Sequence, residues 1–177
     1  RTDGGYSDGR HPDGVRFVRS IREDLARRDF TVGAMAWHPE RGLFDPFGGQ
    51  NDLKNRILRA VGDPDTRFTE DALRILRGVR FASELGFAIE GNTAAAMRRQ
   101  LGRLSCVAAE RVREELRGIL TSPDPDRGVA MLYRLGLAPY VLPRPSGAAE
   151  SLAQRGGFAR LDGFPSRLAA LLWGLSE

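Results

Sequence analysis

The feature that most constrains this chain is an apolar stripe at helical spacing that starts just after a turn. Phe68, Ala72, Ile75, Leu76, Val79 and Ala82 recur at intervals of three and four residues, which is one face of a helix. The spacing predicts a helix over 66–85 with Gly86 as its C-cap. Gly62-Asp63-Pro64-Asp65 ahead of it is a turn and a candidate domain boundary. A helix with one apolar face must bury that face against other elements. Further helices are expected over 93–103, 108–120, 128–135 and 166–173. The breaker run Thr121-Ser122-Pro123-Asp124-Pro125-Asp126 separates the second of these from the third. Residues 143–165 are rich in Pro, Gly, Ser and Ala and read as a linker.

Upstream of residue 62 the character differs. Residues 1–14 are dense in Gly, Asp and Ser and read as a loop. Val15-Arg16-Phe17-Val18 alternates like a strand. Ser20 with Glu23 fits a capping box that opens a helix running to about Arg28. Residues 30–37 read as a buried strand, Leu43-Phe44 as a second strand, and 51–56 as a short helix. The fold class is therefore α+β: short strands and helices first, then a mainly α-helical remainder. The division falls at 1–62, 63–121 and 122–177.

Composition sets limits. One cysteine among 177 residues, Cys106, excludes a disulfide scaffold and fits a reducing, cytoplasmic setting. No apolar run approaches the ~20 residues of a membrane helix. The chain opens Arg1-Thr2-Asp3 without an initiator Met and closes after an apolar run over 168–173, so it is expected to be an internal piece of a longer protein. The basic residues are nearly all arginine, with Lys54 the one lysine. Residues 51–120 carry 13 basic and 10 acidic groups, most of the net charge of +4. Guanidinium forks suit phosphates and base edges, so a nucleic-acid partner is one expectation. His11 and His38 stand apart from each other and from Cys106, which leaves no metal-ligand spacing.

Three stretches carry possible chemistry. On the expected helix, Asp71, Arg74, Arg77 and Arg80 form one i,i+3 row beside Glu70. That row is either an ordinary solvated ion-pair face or a base-reading edge. An ionised Asp offers only acceptors and an Arg only donors. Side by side they match the amine and ring nitrogen of cytosine or adenine, and mismatch the carbonyl and N–H of uracil or guanine. Arg28, oriented by Asp29, could hold a phosphate or sugar, or simply end a charged helix. Glu110-Arg111-Val112-Arg113-Glu114-Glu115 offers Glu110–Glu114 and Arg111–Glu115 spacings, and Glu110 and Arg111 could brace a helix start against the helix of Asp71.

These stretches in this order resemble the class II tRNA nucleotidyltransferases, the CCA-adding enzymes, and their bacterial poly(A) polymerase relatives. The likeness includes Arg1-Thr2-Asp3-Gly4, Arg10-His11-Pro12, Glu23-Asp24-Leu25-Ala26-Arg27-Arg28-Asp29-Phe30-Thr31 and Asp45-Pro46-Phe47-Gly48-Gly49. It continues through Arg67-Phe68, Glu70-Asp71-Ala72-Leu73-Arg74-Ile75-Leu76-Arg77-Gly78-Val79-Arg80-Phe81 and Glu110-Arg111, and thins after about residue 121. The resemblance implies that 1–62 completes a nucleotidyltransferase head, 63–121 is a helical neck, and 122–177 begins a tRNA-binding body. It implies CCA addition to tRNA from CTP and ATP, with Asp71 and Arg74 templating the base. Arg28, Arg77 and Arg80 would contact the nucleotide, and Asp29, Asp45, Glu70, Glu110 and Arg111 would support the site. Asp45 would lie at a hinge. Residues 3–13 resemble the flexible loop linked to addition of the terminal A.

Two departures qualify it. The family's Gly-Gly-x-x-Arg-Asp followed by Asp-x-Asp, whose carboxylates hold Mg²⁺, is expected upstream of Arg1, so this chain has no catalytic or metal-binding residue of its own and is expected to be inactive alone. The family also expects Asn where this chain has Gly33, which removes an amide near Arg28 and loosens the expected strand. The rival readings are a poly(A) polymerase, disfavoured by Ala72 where those enzymes commonly carry Pro, and an inactive RNA-binding module.

Overall fold

Pro64 is tolerated at the first turn of a helix, where its missing N–H costs nothing. Asp63 completes that start by accepting the N–H of Thr66 at 2.9 Å. This exposed cap marks a change along the chain: short mixed elements precede it and mainly helices follow. The computed structural model describes residues 2–3, 15–16, 20–143, 145 and 147–173. In chain order, β1 (Thr2–Asp3) pairs antiparallel with β2 (Val15–Arg16). Then come α1 (Ile21–Ala26), a 3-10 turn at Thr31–Gly33, and the antiparallel hairpin β3 (Ala36–His38) and β4 (Gly42–Phe44). α2 (Gly49–Asn55), β5 (Ile57–Leu58), α3 (Pro64–Glu70) and α4 (Leu73–Leu85) lead to β6 (Ala88–Ile89), which pairs parallel with β5. The helices α5 (Gly91–Arg99), α6 (Ala109–Thr121), α7 (Pro125–Arg134), α8 (Ala138–Val141), α9 (Gly147–Gln154) and α10 (Gly163–Trp173) complete the order. Among the described residues no helix is long and apolar enough to cross a membrane. The loop expected over 1–14 lies largely outside the described residues, as does His11.

The α+β reading stands, with four local corrections. The helix expected over 66–85 is two helices. Asp71 is extended, with φ −151° and ψ 105°, and its Oδ1 accepts the N–H of Leu73 at 3.0 Å. A short acidic side chain that bonds its own backbone competes with the helix, and here it wins. Gly86, with φ 68°, ends α4 in the left-handed cap that its sequence position predicts. The buried strand expected over 30–37 is a 3-10 turn followed by an exposed hairpin strand. The Thr31 hydroxyl donates to buried Asp52 at 2.7 Å, which turns the chain, and Trp37 is 69% exposed. Ser20 does precede α1 but makes no side-chain cap, so the capping box is absent. The linker expected over 143–165 contains α9. Its Ala149 and Ala153, one turn apart, are buried as α9 packs on α7. The chain beyond α9 is drawn inward because the Asp126 carboxylate accepts the N–H groups of Phe158 and Ala159, both at 2.8 Å.

The main core joins part of the early segment to the helices that follow. It includes Phe30, Leu58 and Ala60 from the early elements, Phe68, Ile75, Leu76 and Val79 from α3 and α4, and Ile119, Leu132, Phe158 and Leu171 from the later ones. Phe30 and Phe81 meet edge to face at 5.9 Å, a favoured aromatic geometry. Gly78 allows this approach. A Cβ there would collide with Met97 Cε and lie 3.0 Å from the Phe30 ring. A second small cluster joins Leu25, Ala34 and Val61.

Candidate functional site

The break between α3 and α4 exposes the residues singled out in sequence to three neighbours: the end of α1, the segment 27–29 and the start of α6. Asp71 turns towards α6. Its Oδ2 accepts from Arg111 Nη2 at 2.8 Å while Oδ1 holds the Leu73 N–H. The bracing expected of Arg111 is therefore present, but the expected Arg111–Glu115 pair is not. Glu115 instead pairs with Arg80 Nε at 2.7 Å. The reach across two helices replaces the surface i,i+4 pair, because the start of α6 packs beside α4.

Arg74 has a different set of partners. Its Nε meets Asp29 Oδ1 at 2.8 Å, and its Nη1 meets Glu70 Oε2 at 2.6 Å and the Arg67 carbonyl at 3.0 Å. Nη2 donates to the Arg27 carbonyl at 3.2 Å. The side chain is only 14% exposed. Asp29, equally buried, is shared: its Oδ2 accepts from Arg77 Nη2 at 2.9 Å. Asp71 and Arg74 are thus held by separate partners rather than lying in one i,i+3 row, and the break at Asp71 is the reason. Arg77 keeps its Nε buried without a hydrogen bond among the described residues and lies over the Phe81 ring.

Arg28 is the most open of the group at 52% exposed. Its Nη1 donates to the Gly33 carbonyl at 3.4 Å and its Nη2 lies 3.6 Å from Asp24. The Arg27 guanidinium bonded to Asp24 holds that carboxyl below its ordinary value, against burial. Arg80 lies outside this cluster. It stacks on Phe81 at 4.3 Å and clamps Glu84 and Glu115. Burial opposes its charge, yet the two carboxylates hold its pKa above the ordinary arginine value. Gly118 makes room for it, since a Cβ there would collide with Arg80 Cδ.

Asp45 stands at the start of α2 and accepts the N–H groups of Gly49 at 2.7 Å and Gln50 at 2.9 Å. Burial would raise its pKa, but those backbone donors win and hold it low. Glu110 is exposed in the first turn of α6, where a negative charge suits the helix dipole. His38 accepts a turn N–H from Glu40, and Cys106 is exposed. Among the described residues no three His, Cys, Asp or Glu side chains gather as a metal site. Sequence reading gave no role to Arg67, whose guanidinium joins Ala26 to Glu70. Its i,i+3 spacing to Glu70 was the available signal, hidden among many such arginine spacings.

Two family descriptions match the chain. Residues 1–59 match the "Poly A polymerase head domain", and residues 86–147 match the "Probable RNA and SrmB- binding site of polymerase A". The CCA-adding enzyme of Geobacillus thermodenitrificans is 41% identical over 173 residues, which is 98% of this chain and 39% of that protein. The CCA-adding enzyme of Levilactobacillus brevis is 49% identical over 140 residues, covering 79% of this chain and 35% of that protein. The crystal structure of the Bacillus stearothermophilus CCA-adding enzyme in complex with CTP superposes with a TM-score of 0.79 at 37% identity, covering 88% of this chain and 40% of that one. The Thermotoga maritima CCA-adding enzyme complexed with tRNA gives 0.69 at 30% identity, covering 76% and 34%. The chain thus spans between a third and two fifths of the length of these relatives, in the part that joins a nucleotidyltransferase head to helices. It belongs to the nucleotidyltransferase family of the CCA-adding enzymes and poly(A) polymerases.

Proposed function

We propose that this chain is the base-selecting portion of a tRNA nucleotidyltransferase that adds C and A to the tRNA 3′ end from CTP and ATP. The observation that carries the reading is the fixed acceptor and fixed donor at the helix break. Asp71 is a carboxylate pinned by one N–H and one guanidinium, with lone pairs left over. Arg74, one turn on, is pinned by two carboxylates and two carbonyls. An acceptor and a donor that cannot wander suit an amine beside a ring nitrogen, and leave buried polar groups unpaired against a carbonyl beside an N–H. Arg77 and Arg28 flank them as phosphate or sugar contacts, and Arg80 supports them by holding α4 to α6.

The organisation proposed is head over 1–62, neck over 63–121 and the start of a body over 122–177. The basic middle of the chain would grip RNA, and the location would be cytoplasmic. The relatives are CCA-adding enzymes, which favours that reading over poly(A) synthesis. Residues 1–177 contain no Gly-Gly-x-x-Arg-Asp followed by Asp-x-Asp, and the described residues gather no carboxylate cluster. The residues present therefore do not fit a Mg²⁺ site, and no step is assigned to the ion here. In the whole enzyme a divalent metal, as Mg²⁺, would be held by the carboxylates of that motif.

Equilibrium binding of the four nucleoside triphosphates tests this. CTP and ATP are expected to bind roughly tenfold more tightly than UTP and GTP. Asp71→Ala should flatten the preference. Equal affinities unaffected by Asp71→Ala would leave only an RNA-binding module, and a preference for ATP alone would point to poly(A) synthesis.

A further inference from the structure

One of the groups that orient Arg74, the Glu70 carboxylate, is itself held by a residue outside the base-selecting pair. Arg67, on α3, donates from Nη1 to the Ala26 carbonyl at 3.2 Å, one of the end carbonyls of α1 that lack a helical partner. Its Nη2 donates to Glu70 Oε1 at 2.6 Å. The other oxygen of Glu70 takes Arg74 Nη1 at 2.6 Å, and the Arg67 carbonyl takes Nη1 again at 3.0 Å. One hydrogen of Arg74 Nη1 therefore ends on the main-chain carbonyl of Arg67, which a substitution there keeps, and the other on the carboxylate that the Arg67 side chain fixes. Asp29 takes Nε, and the Arg27 carbonyl takes one Nη2 hydrogen. A guanidinium has five N–H donors. Among the described residues the contacts leave one, on Nη2.

We infer that Arg67 is a positioning residue that sets base specificity by keeping Nη1 of Arg74 turned away from the base. The inference rests on the base-selecting reading of Asp71 and Arg74. One donor beside one carboxylate matches cytosine and adenine. Freeing Nη1 changes the match. Without the Arg67 side chain, half-exposed Glu70 loses one of its two anchors, and its hold on Arg74 Nη1 loosens while Asp29 and the main-chain carbonyls keep the rest of the guanidinium in place. A second donor then reaches the O4 of uracil or the O6 of guanine, while Asp71 accepts the neighbouring N–H. The loss is of discrimination, not of affinity as a whole.

The test uses the full 177-residue chain, with CTP, ATP, UTP and GTP as probes and urea unfolding measured in parallel. Arg67→Gln is expected to narrow the CTP-to-UTP affinity ratio by roughly tenfold, chiefly by raising UTP affinity. Glu70→Gln, at a more exposed position, should do the same and decides the matter should Arg67→Gln not fold. Arg67→Lys keeps one charged donor but not the fork, and should restore part of the ratio. A uniform fall for all four nucleotides marks a merely structural role and overturns the inference, as does an unchanged ratio. If the unaltered chain discriminates and Asp71→Ala flattens it while the Arg67 and Glu70 variants do not, Arg67 alone loses its role. If the unaltered chain binds all four alike, the base-selecting reading fails and takes this inference with it.

Discussion

At the scale of single residues, the members of the candidate site are named from sequence but their partners are not legible there. Asp71, Arg74, Arg77 and Asp29 come together at one junction, as their order along the chain suggests. Which carboxylate faces which guanidinium depends on a helix break that periodicity overlooks, since the apolar stripe runs straight through it. Gly33 shows the same limit. Read as a strand residue it loosens a strand, yet it closes a 3-10 turn beside Arg28. A Cβ at Gly33 meets nothing within 4 Å, and its φ is not left-handed. Gly33→Asn should therefore change unfolding free energy by less than ~0.5 kcal/mol. It should also leave CTP affinity equal or higher, because the amide adds an acceptor near Arg28. A urea midpoint that drops by more than this would mean the turn cannot carry a side chain.

At the scale of elements, helices were legible wherever apolar periodicity ran uninterrupted, as in α4, α6 and α7, and α9 was missed. Alanine carries little hydrophobic signal, and a helix built on Ala149 and Ala153 looks like a linker until α7 is placed against it. The start of α5 was equally hidden, because its cap is not among the residues that most often cap helices. Glu90 accepts the N–H groups of Asn92 at 2.9 Å and Thr93 at 2.8 Å, and the Thr93 hydroxyl at 3.0 Å. Burial raises its pKa, but these donors and nearby Arg59 outweigh it, so the folded value lies below the ordinary 4.5. A carboxyl depressed on folding adds stability above its unfolded pKa and loses it as pH falls through the folded one. Urea unfolding followed from about pH 7 down to about pH 3 should show this loss, and Glu90→Gln should flatten the decline. A decline equally steep in Glu90→Gln would assign the acid sensitivity to other carboxylates.

At the scale of the whole molecule, the boundary proposed near residue 62 does not divide the packing. Sequence reading proposes it from the change of character at Gly62-Asp63-Pro64-Asp65. The packing crosses it, because β5 pairs with β6 and Leu58, Ala60 and Phe30 sit in the same core as Leu171. This continuity matters to the site, since Arg74 bonds groups on both sides of residue 62. Residues that share one core are expected to unfold in one cooperative transition. Leu58→Ala and Leu171→Ala remove fully buried side chains at opposite ends of that core. Each should cost ~2–5 kcal/mol, and each should shift one common transition seen by far-UV circular dichroism and by hydrogen exchange in α4. If the head were a separate folding unit, Leu58→Ala would leave α4 protected while an earlier transition moved. In that case Asp29 and Arg74 would be joined only when two units dock, and base selection would be lost before the neck unfolds.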